Sequence, residues 1–404
     1  MKRLTVFGSC SMTSLNYFLW KSIKMVNIHP LLDTVKQIRA QEYEIKKRRT
    51  SFFNLILGFT LTLIFILVIS HPLLEHLPKF PAFRFLLFLW TLAVFSLPFD
   101  LILSYRSGYK LEHEFGFSNQ NKKQFFKDEF KGFLINLIIN PLIALILFLA
   151  FRVTPELWWL WAACAMIFVS VVFATLYPVV IMPLFNKYTV IEDEELTTRL
   201  GAILRKGGLK IKGFYLQDMS RQTKKENAFL GGLGKTRRVV LSDNIINNMS
   251  LDELETVIAH EVGHYKYQHM WKNIFLGAIY QLIIFFLSHQ IMLRINPDFL
   301  KSFDNMLLAY PIFLLCFGIL HMLIIGPLSN AVSRYFENQA DSYALDMTQN
   351  PEAFQSAMAG LANRNLSNAY PTPFIKFMYY SHPPVGERLK RGDIWSSQNE
   401  YQKT

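Results

Sequence analysis

The chain has 404 residues, of which 51% are hydrophobic, 15% aromatic and only 18% charged, with a net charge of +12. So few charges exclude an ordinary soluble protein of two or three domains, and so much apolar character excludes disorder. The composition is that of an integral membrane protein. Three cysteines, Cys10, Cys164 and Cys316, are too few and too scattered for a disulfide framework or a Cys-rich zinc knuckle.

In chain order, residues 1–26 open with Lys2 and Arg3, but Ser9, Ser11, Thr13, Ser14 and Asn16 break the apolar run. No small-residue cleavage site follows, so the segment reads as a weak span or an interfacial helix rather than a secretory signal, and its place is left open. Six apolar stretches then approach or exceed the ~20 residues needed to cross a bilayer. They lie near residues 52–69, 85–103, 133–151, 157–184, 274–293 and 306–328. Pro141, Pro178 and Pro183 predict kinks. His289 and His321 read as buried, hydrogen-bonded span residues, with a chamber lining as the alternative. Trp158, Trp159 and Trp161 read as an interfacial belt.

The charges follow the loops. Lys46, Lys47, Arg48 and Arg49 abut the first span, and residues 106–132 are again rich in Lys. The positive-inside bias therefore puts both on the cytoplasmic side, and the basic balance needs no nucleic acid. The organisation predicted is a basic cytoplasmic segment at 1–51, four spans within 52–184 and a cytoplasmic insertion at 185–273. Two further spans within 274–328 and a cytoplasmic segment at 329–404 complete it. The fold class is mainly α: a polytopic helical bundle with a small α+β insertion.

That insertion carries soluble-domain patterning. Residues 192–206 read as an amphipathic helix, and 213–217 and 237–241 as short strands with 227–234 between them. Ser250 and Glu253 have the spacing of a capping box, which starts a helix running toward His264.

On that helix stand His260, Glu261 and His264, an H-E-x-x-H pattern. Four residues return to nearly the same helical face, so two imidazoles converge on one metal. Glu261 is offset by one position, where it can act on water without ligating. A catalytic zinc needs a third protein ligand. Beyond the last span, Glu337 and Asp341 share a helical face; one could ligate while the other orients a ligand histidine. The bland alternative is a solvated acidic face. Ser381-His382-Pro383-Pro384 and Arg388 form a third element, with His382 and Arg388 as candidate donors to a developing oxyanion. His269, five past His264, reads as a non-ligand histidine near the interface.

These pieces and others occur in one order. Leu97-Pro98-Phe99, Glu112-His113-Glu114-Phe115-Gly116-Phe117, Pro183-Leu184-Phe185 and Asn227-Ala228-Phe229 precede the H-E-x-x-H core. Pro327-Leu328-Ser329-Asn330, the Glu337–Asp341 pair and the Ser381–Pro384 run follow it. Across residues 46–389 the chain resembles the CAAX prenyl proteases, the Ste24-type membrane zinc metallopeptidases of the M48 class. The resemblance implies one zinc held by His260, His264 and Glu337, with Glu261 as general base and Asp341 behind a ligand. It also implies Asn227 and Ala228 on an edge strand that pairs with substrate, and His382 and Arg388 near the scissile bond. It implies seven spans around a chamber with the zinc site on the cytoplasmic side; residues 1–26 stand where the first would be.

The expected activity is peptide hydrolysis, on the C-terminal tail of a prenylated protein at a bilayer. Quality control of membrane proteins is the alternative substrate class, and a non-catalytic scaffold or transporter the alternative outside enzymes.

Overall fold

The long apolar runs become helices that outlast the bilayer on one side. The structure, a computed structural model, describes residues 28–176, 182–232, 237–298 and 301–400. Residues 1–26 and Pro178, for which a weak span and a kink were expected, lie outside them. Helix α1 (Thr34–His76) starts where the Asp33 carboxylate accepts from the Val35 and Lys36 amides. It continues unbroken through Lys46–Arg49 into the first apolar stretch. The basic segment is thus helical over its second half, because charge does not end a helix that no Pro or Gly interrupts. Helices α2 (Pro81–Glu114) and α3 (Lys122–Val153) follow, α3 running through Pro141 as one element. Helix α4 (Trp158–Leu176) is the shorter fourth.

Five helices among the described residues are long and apolar enough to cross a membrane, and the apolar part of α4, Trp158–Phe173, adds a shorter one. Exposed Phe52, Leu67, Phe83, Ile138, Phe168 and Phe275 give these helices an apolar outer surface, as lipid contact requires. Two of the expectations for polar and aromatic span residues change. Trp158 is fully buried, and its indole N–H donates to Nδ1 of His289 at 2.8 Å, so it belongs to the bundle core rather than to a belt. His321 is exposed and stacks on Phe317 instead of being buried.

The insertion begins with β1 (Tyr188–Val190) and α5 (Glu194–Lys206). Leu196, Leu200 and Leu204 recur at helical spacing and are buried on one face of α5. Strands β2 (Phe214–Gln217), β3 (Ala228–Gly231) and β4 (Arg238–Ser242) complete a four-stranded sheet in the order β1-β2-β4-β3. β2 and β4 are parallel, with Phe214 opposite Val239, and β3 runs antiparallel to β4, with Ala228 opposite Leu241. β3 is therefore an edge.

Helix α6 (Leu251–Lys266) starts at the predicted capping box: the Glu253 amide donates to Ser250 Oγ at 3.3 Å and the Ser250 amide to Glu253 Oε2 at 2.8 Å. Helix α7 (His269–Ile295) re-enters the apolar bundle, and α8 (Phe303–Thr348) returns. α8 does not stop where its apolar residues do. A wider helical turn at His321–Ile325 precedes Gly326-Pro327, accommodating a residue that has no N–H, and the helix continues to Thr348. The last span and the acidic pair are thus one element. Helices α9 (Pro351–Asn365) and α10 (Val385–Glu400) close the core of the extramembrane part, where Leu200, Leu241, Leu254, Ile258, Leu345 and Phe354 pack together.

Two polar contacts tie elements distant in sequence, one within the bundle and one between the bundle and the insertion. Arg84 on α2 forks onto Asp304 on α8 at 2.6 and 2.8 Å. The Glu112 carboxylate accepts from Lys225 at 2.6 Å and from the Tyr43 hydroxyl, while Phe115 and Phe117 pack on the Tyr43 ring. The Lys224 amide donates to the Phe117 carbonyl at 2.8 Å, so the 112–117 loop straps the approach to Asn227.

Helices α6 and α8 cross in close contact. A Cβ on Gly263 would sit 2.9 Å from Cα of Ala340 and 3.2 Å from its carbonyl oxygen. Both are backbone atoms that cannot rotate away. Gly263→Ala is expected to push the helices apart, destabilising the protein by ~1–3 kcal/mol and lowering bound metal. Thermal melting in detergent and metal content by mass spectrometry check both effects.

Candidate metal centre

The α6–α8 crossing places the side chains of His260, His264 and Glu337 together. Nε2 of His264 lies 3.1 Å from Nε2 of His260. Oε2 of Glu337 lies 3.3 Å from His260 Nε2, and its Oε1 lies 3.3 Å from His264 Nε2. Ligands ~2.05 Å from one tetrahedral ion stand roughly 3.3 Å from each other. The donor atoms therefore stand at the spacing a shared ion requires, with one oxygen of Glu337 facing His260 and the other facing His264. Glu337 Oε2 is also buried, with the His260 ring as its polar contact, and a carboxylate so placed is best met by a cation. Among the described residues these three form the group with metal-holding geometry.

Charge points the same way. Burial disfavours the imidazolium of His260, yet Asp341 and Glu337 outweigh it and raise its pKa to about 9. The pocket is built to hold positive charge. Asp341 is fully buried, its Oδ1 lying 2.9 Å from Nδ1 of His260. Its other partner is Arg388, whose Nε donates to Oδ2 at 2.9 Å and whose Nη2 donates to Oδ1.

The remaining predicted residues meet around one cavity of about 390 Å³. Asn227, Ala228, Glu261, Glu337, His382 and Arg388 all line it. Glu261 is half-buried, one helical position from the ligand face. His382 Nε2 lies 3.3 Å from Glu337 Oε1, and Ser381 Oγ is 3.0 Å from its Nδ1. Arg388 is at the site beside His382, with its Nε and Nη2 engaged by Asp341. Asn227 opens the edge strand; its amide donates to Ser242 Oγ and its carbonyl accepts from the Ser242 amide.

Sequence reasoning underrated His269. It is 2% exposed, and its Nδ1 lies 2.9 Å from Nδ1 of His264. Its Nε2 lies 3.0 Å from Oε1 of Gln339, two residues past Glu337 on α8. A spacing of five does not share the face of an uninterrupted helix. The contact exists because the chain breaks at Gln268, which takes a left-handed φ of 56° between α6 and α7. No sequence signal announces that turn.

Two imidazoles, a carboxylate and a free carboxylate beside them are the equipment of a metal-dependent hydrolase. Family models place that class. Residues 191–395 match peptidase family M48, and residues 27–187 match the CAAX prenyl protease N-terminal model with five membrane helices. The Arabidopsis thaliana CAAX prenyl protease 1 homolog is 32% identical over 302 residues, covering 73% of this chain and 70% of that protein. CAAX prenyl protease 1 of Saccharomyces cerevisiae is 31% identical over 336 residues, covering 78% and 73%. The crystal structure of S. mikatae Ste24p superposes with a TM-score of 0.79 at 26% identity, covering 93% of this chain and 94% of that one.

The chain belongs to peptidase family M48. It is a multi-pass membrane metalloendopeptidase, and its substrates are peptides or proteins.

The Arg388–Asp341 pair is buried on both sides, with side-chain exposures of 11% and 0%. Removing one member strands the other. Arg388→Met is expected to cost about 3–5 kcal/mol, and Asp341→Asn in the same chain to recover part of that loss. Thermal or denaturant melting of the single and double variants checks it.

Proposed function

We propose that the bound metal is zinc, held by His260, His264 and Glu337, and that the site faces the cytoplasm and trims the C-terminal tail of prenylated proteins. The triangle of ligand atoms 3.1–3.3 Å apart is the observation that carries the zinc reading. Two imidazoles and a carboxylate with room for a fourth ligand are the usual donor set of a hydrolytic zinc. When bound, that ion supplies Lewis acidity toward the scissile carbonyl and toward the attacking water.

The chain's own residues supply the rest. Glu261 takes a proton from the attacking water at its carboxylate and returns it to the leaving amine. His382 donates from its ring toward the carbonyl oxygen as that atom gains negative charge. Arg388 holds Asp341 in place, and Asp341 holds His260 with Nε2 turned toward Glu337. Substrate lies extended beside Asn227 and Ala228, adding a strand to the free edge of β3, so main-chain bonds bind it whatever its side chains.

The lipid-bearing substrate is supported by what surrounds the cavity. A hollow of about 520 Å³ adjoins His264, lined by Ile167 of α4 and by Met270, Ile274, Gly277 and Ala278 of α7, with Ser170, Asn273 and Gln281 among them. These are membrane-level helices, so an isoprenoid could reach the site without leaving apolar surroundings. On the other side a chamber of about 960 Å³ shares Asn227 and His382 with the site and extends to Phe52 and Leu55 of α1. The cytoplasmic orientation is supported by Lys46–Arg49, which lie on α1 on the same side as the strap and the sheet. Quality control of membrane proteins, the broader alternative, predicts no dependence on the lipid.

Glu261→Gln is expected to keep one zinc per chain while cleavage falls by ~10²–10⁴-fold, and Glu337→Ala to lose zinc and cleavage together. Metal content and turnover of one fluorogenic peptide separate the two; full activity of purified Glu261→Gln protein overturns the mechanism. A peptide carrying a prenylated cysteine is expected to be cut at least tenfold more efficiently than the same peptide without it. Equal kcat/KM for the two leaves the metallopeptidase in place and removes the prenyl specificity.

A further inference from the structure

We propose that His269, backed by Gln339, is a positioning residue that fixes the tautomer and ring orientation of His264. The proposal rests on the reading of His264 as a ligand through Nε2, the atom 3.3 Å from Glu337. A nitrogen that ligates a metal must present its lone pair, so the His264 proton sits on Nδ1. His264 is only half-buried, and the acceptor that the protein itself sets against that proton is another imidazole.

The atom 2.9 Å away is Nδ1 of His269. To accept, it must be unprotonated, so the His269 proton sits on Nε2 and is donated to Gln339 Oε1 at 3.0 Å. The Gln339 amide then donates onward to the Tyr335 hydroxyl at 3.2 Å. Every member of the chain has one consistent direction of donation. An amide oxygen at Gln339 admits that direction only.

Packing fixes the geometry as well as the protons. The His269 ring stacks on Phe336 with centroids 4.3 Å apart and planes 13° from parallel. Phe336, Gln339 and Glu337 all belong to α8, so the helix that supplies a ligand also supplies the backing for another. The left-handed Gln268 that turns His269 back toward His264 is a conformation that side-chain-bearing residues rarely adopt. Such strain persists where the surroundings over-determine it. His264 thus receives from His269 what His260 receives from Asp341, but from a neutral partner.

The test is zinc affinity of the purified full-length protein in detergent, measured by competition with a chromophoric chelator. His269→Phe keeps a ring to stack on Phe336 and removes the acceptor; it is expected to bind zinc 10–100-fold more weakly with the melting point of the zinc-free protein unchanged. His269→Asn restores an oxygen near the Nδ1 position and is expected to recover most of the affinity. Zinc binding by His269→Phe within twofold of the parent, or no recovery by His269→Asn, overturns the proposal. If His269→Phe does not fold, the Gln339 variants decide. Gln339→Leu is expected to weaken zinc at least threefold and Gln339→Glu to retain it, and equal affinities for the two overturn the proposal. His264→Ala in the parent tests the ligand reading separately: unchanged zinc affinity there defeats the metal centre rather than its support.

Discussion

The structure depends on the close crossing of α6 and α8, where Gly263 lies against the Ala340 backbone. A helix that carries two histidines on one face is common enough; bringing a carboxylate from another helix within 3.3 Å of both is not. With side chains as short as Glu and His, the helix axes must approach as closely as a glycine and an alanine allow. The residues on either side of that contact then do the work. Asp341 follows Ala340 and reaches His260; Gln339 precedes it and reaches His269. One turn of α8 therefore serves both histidines of α6, and a displacement of either helix disturbs all of these contacts together.

Buried charge explains why the arrangement is held so firmly. Asp341 and Glu337 are buried carboxylates on one helical face, and only Arg388 and the imidazoles stand against them. Removing such charges from water costs several kcal/mol each, and Glu337 Oε2 meets only the His260 ring within the protein. The deficit is that of a missing cation. The site and the packed core around Leu200, Leu254, Leu345 and Phe354 support each other, because the same helices bury apolar surface on one face and charge on the other.

The membrane half contributes more than an anchor. α8 is a bilayer helix for its first part and a catalytic-domain helix for its last, so no flexible linker separates span from site. The 112–117 loop ties α2 to the strand approach at Lys224 and Lys225, and α1 meets the same loop through Tyr43. The site is thus built on rigid elements, with cavities beside it that reach residues of α1, α4 and α7.

Local chemistry made much of this legible in advance. Apolar runs, the Ser250–Glu253 cap, the stripe on α5 and the H-E-x-x-H spacing each depend on residues within a few positions of one another, and period and capping are properties of the chain itself. The order of the dispersed motifs added the third ligand and the edge strand. What the tertiary structure decided was every relation across a break or between distant helices. It showed Trp158 as a core residue bonded to His289, α1 and α8 as helices running past their apolar stretches, the Arg388 fork closed on Asp341, and His269 folded back on His264. Each depends on where two elements cross or on one left-handed residue at Gln268, and neither leaves a periodic trace in sequence, because the partner that stabilises the contact lies elsewhere in the chain.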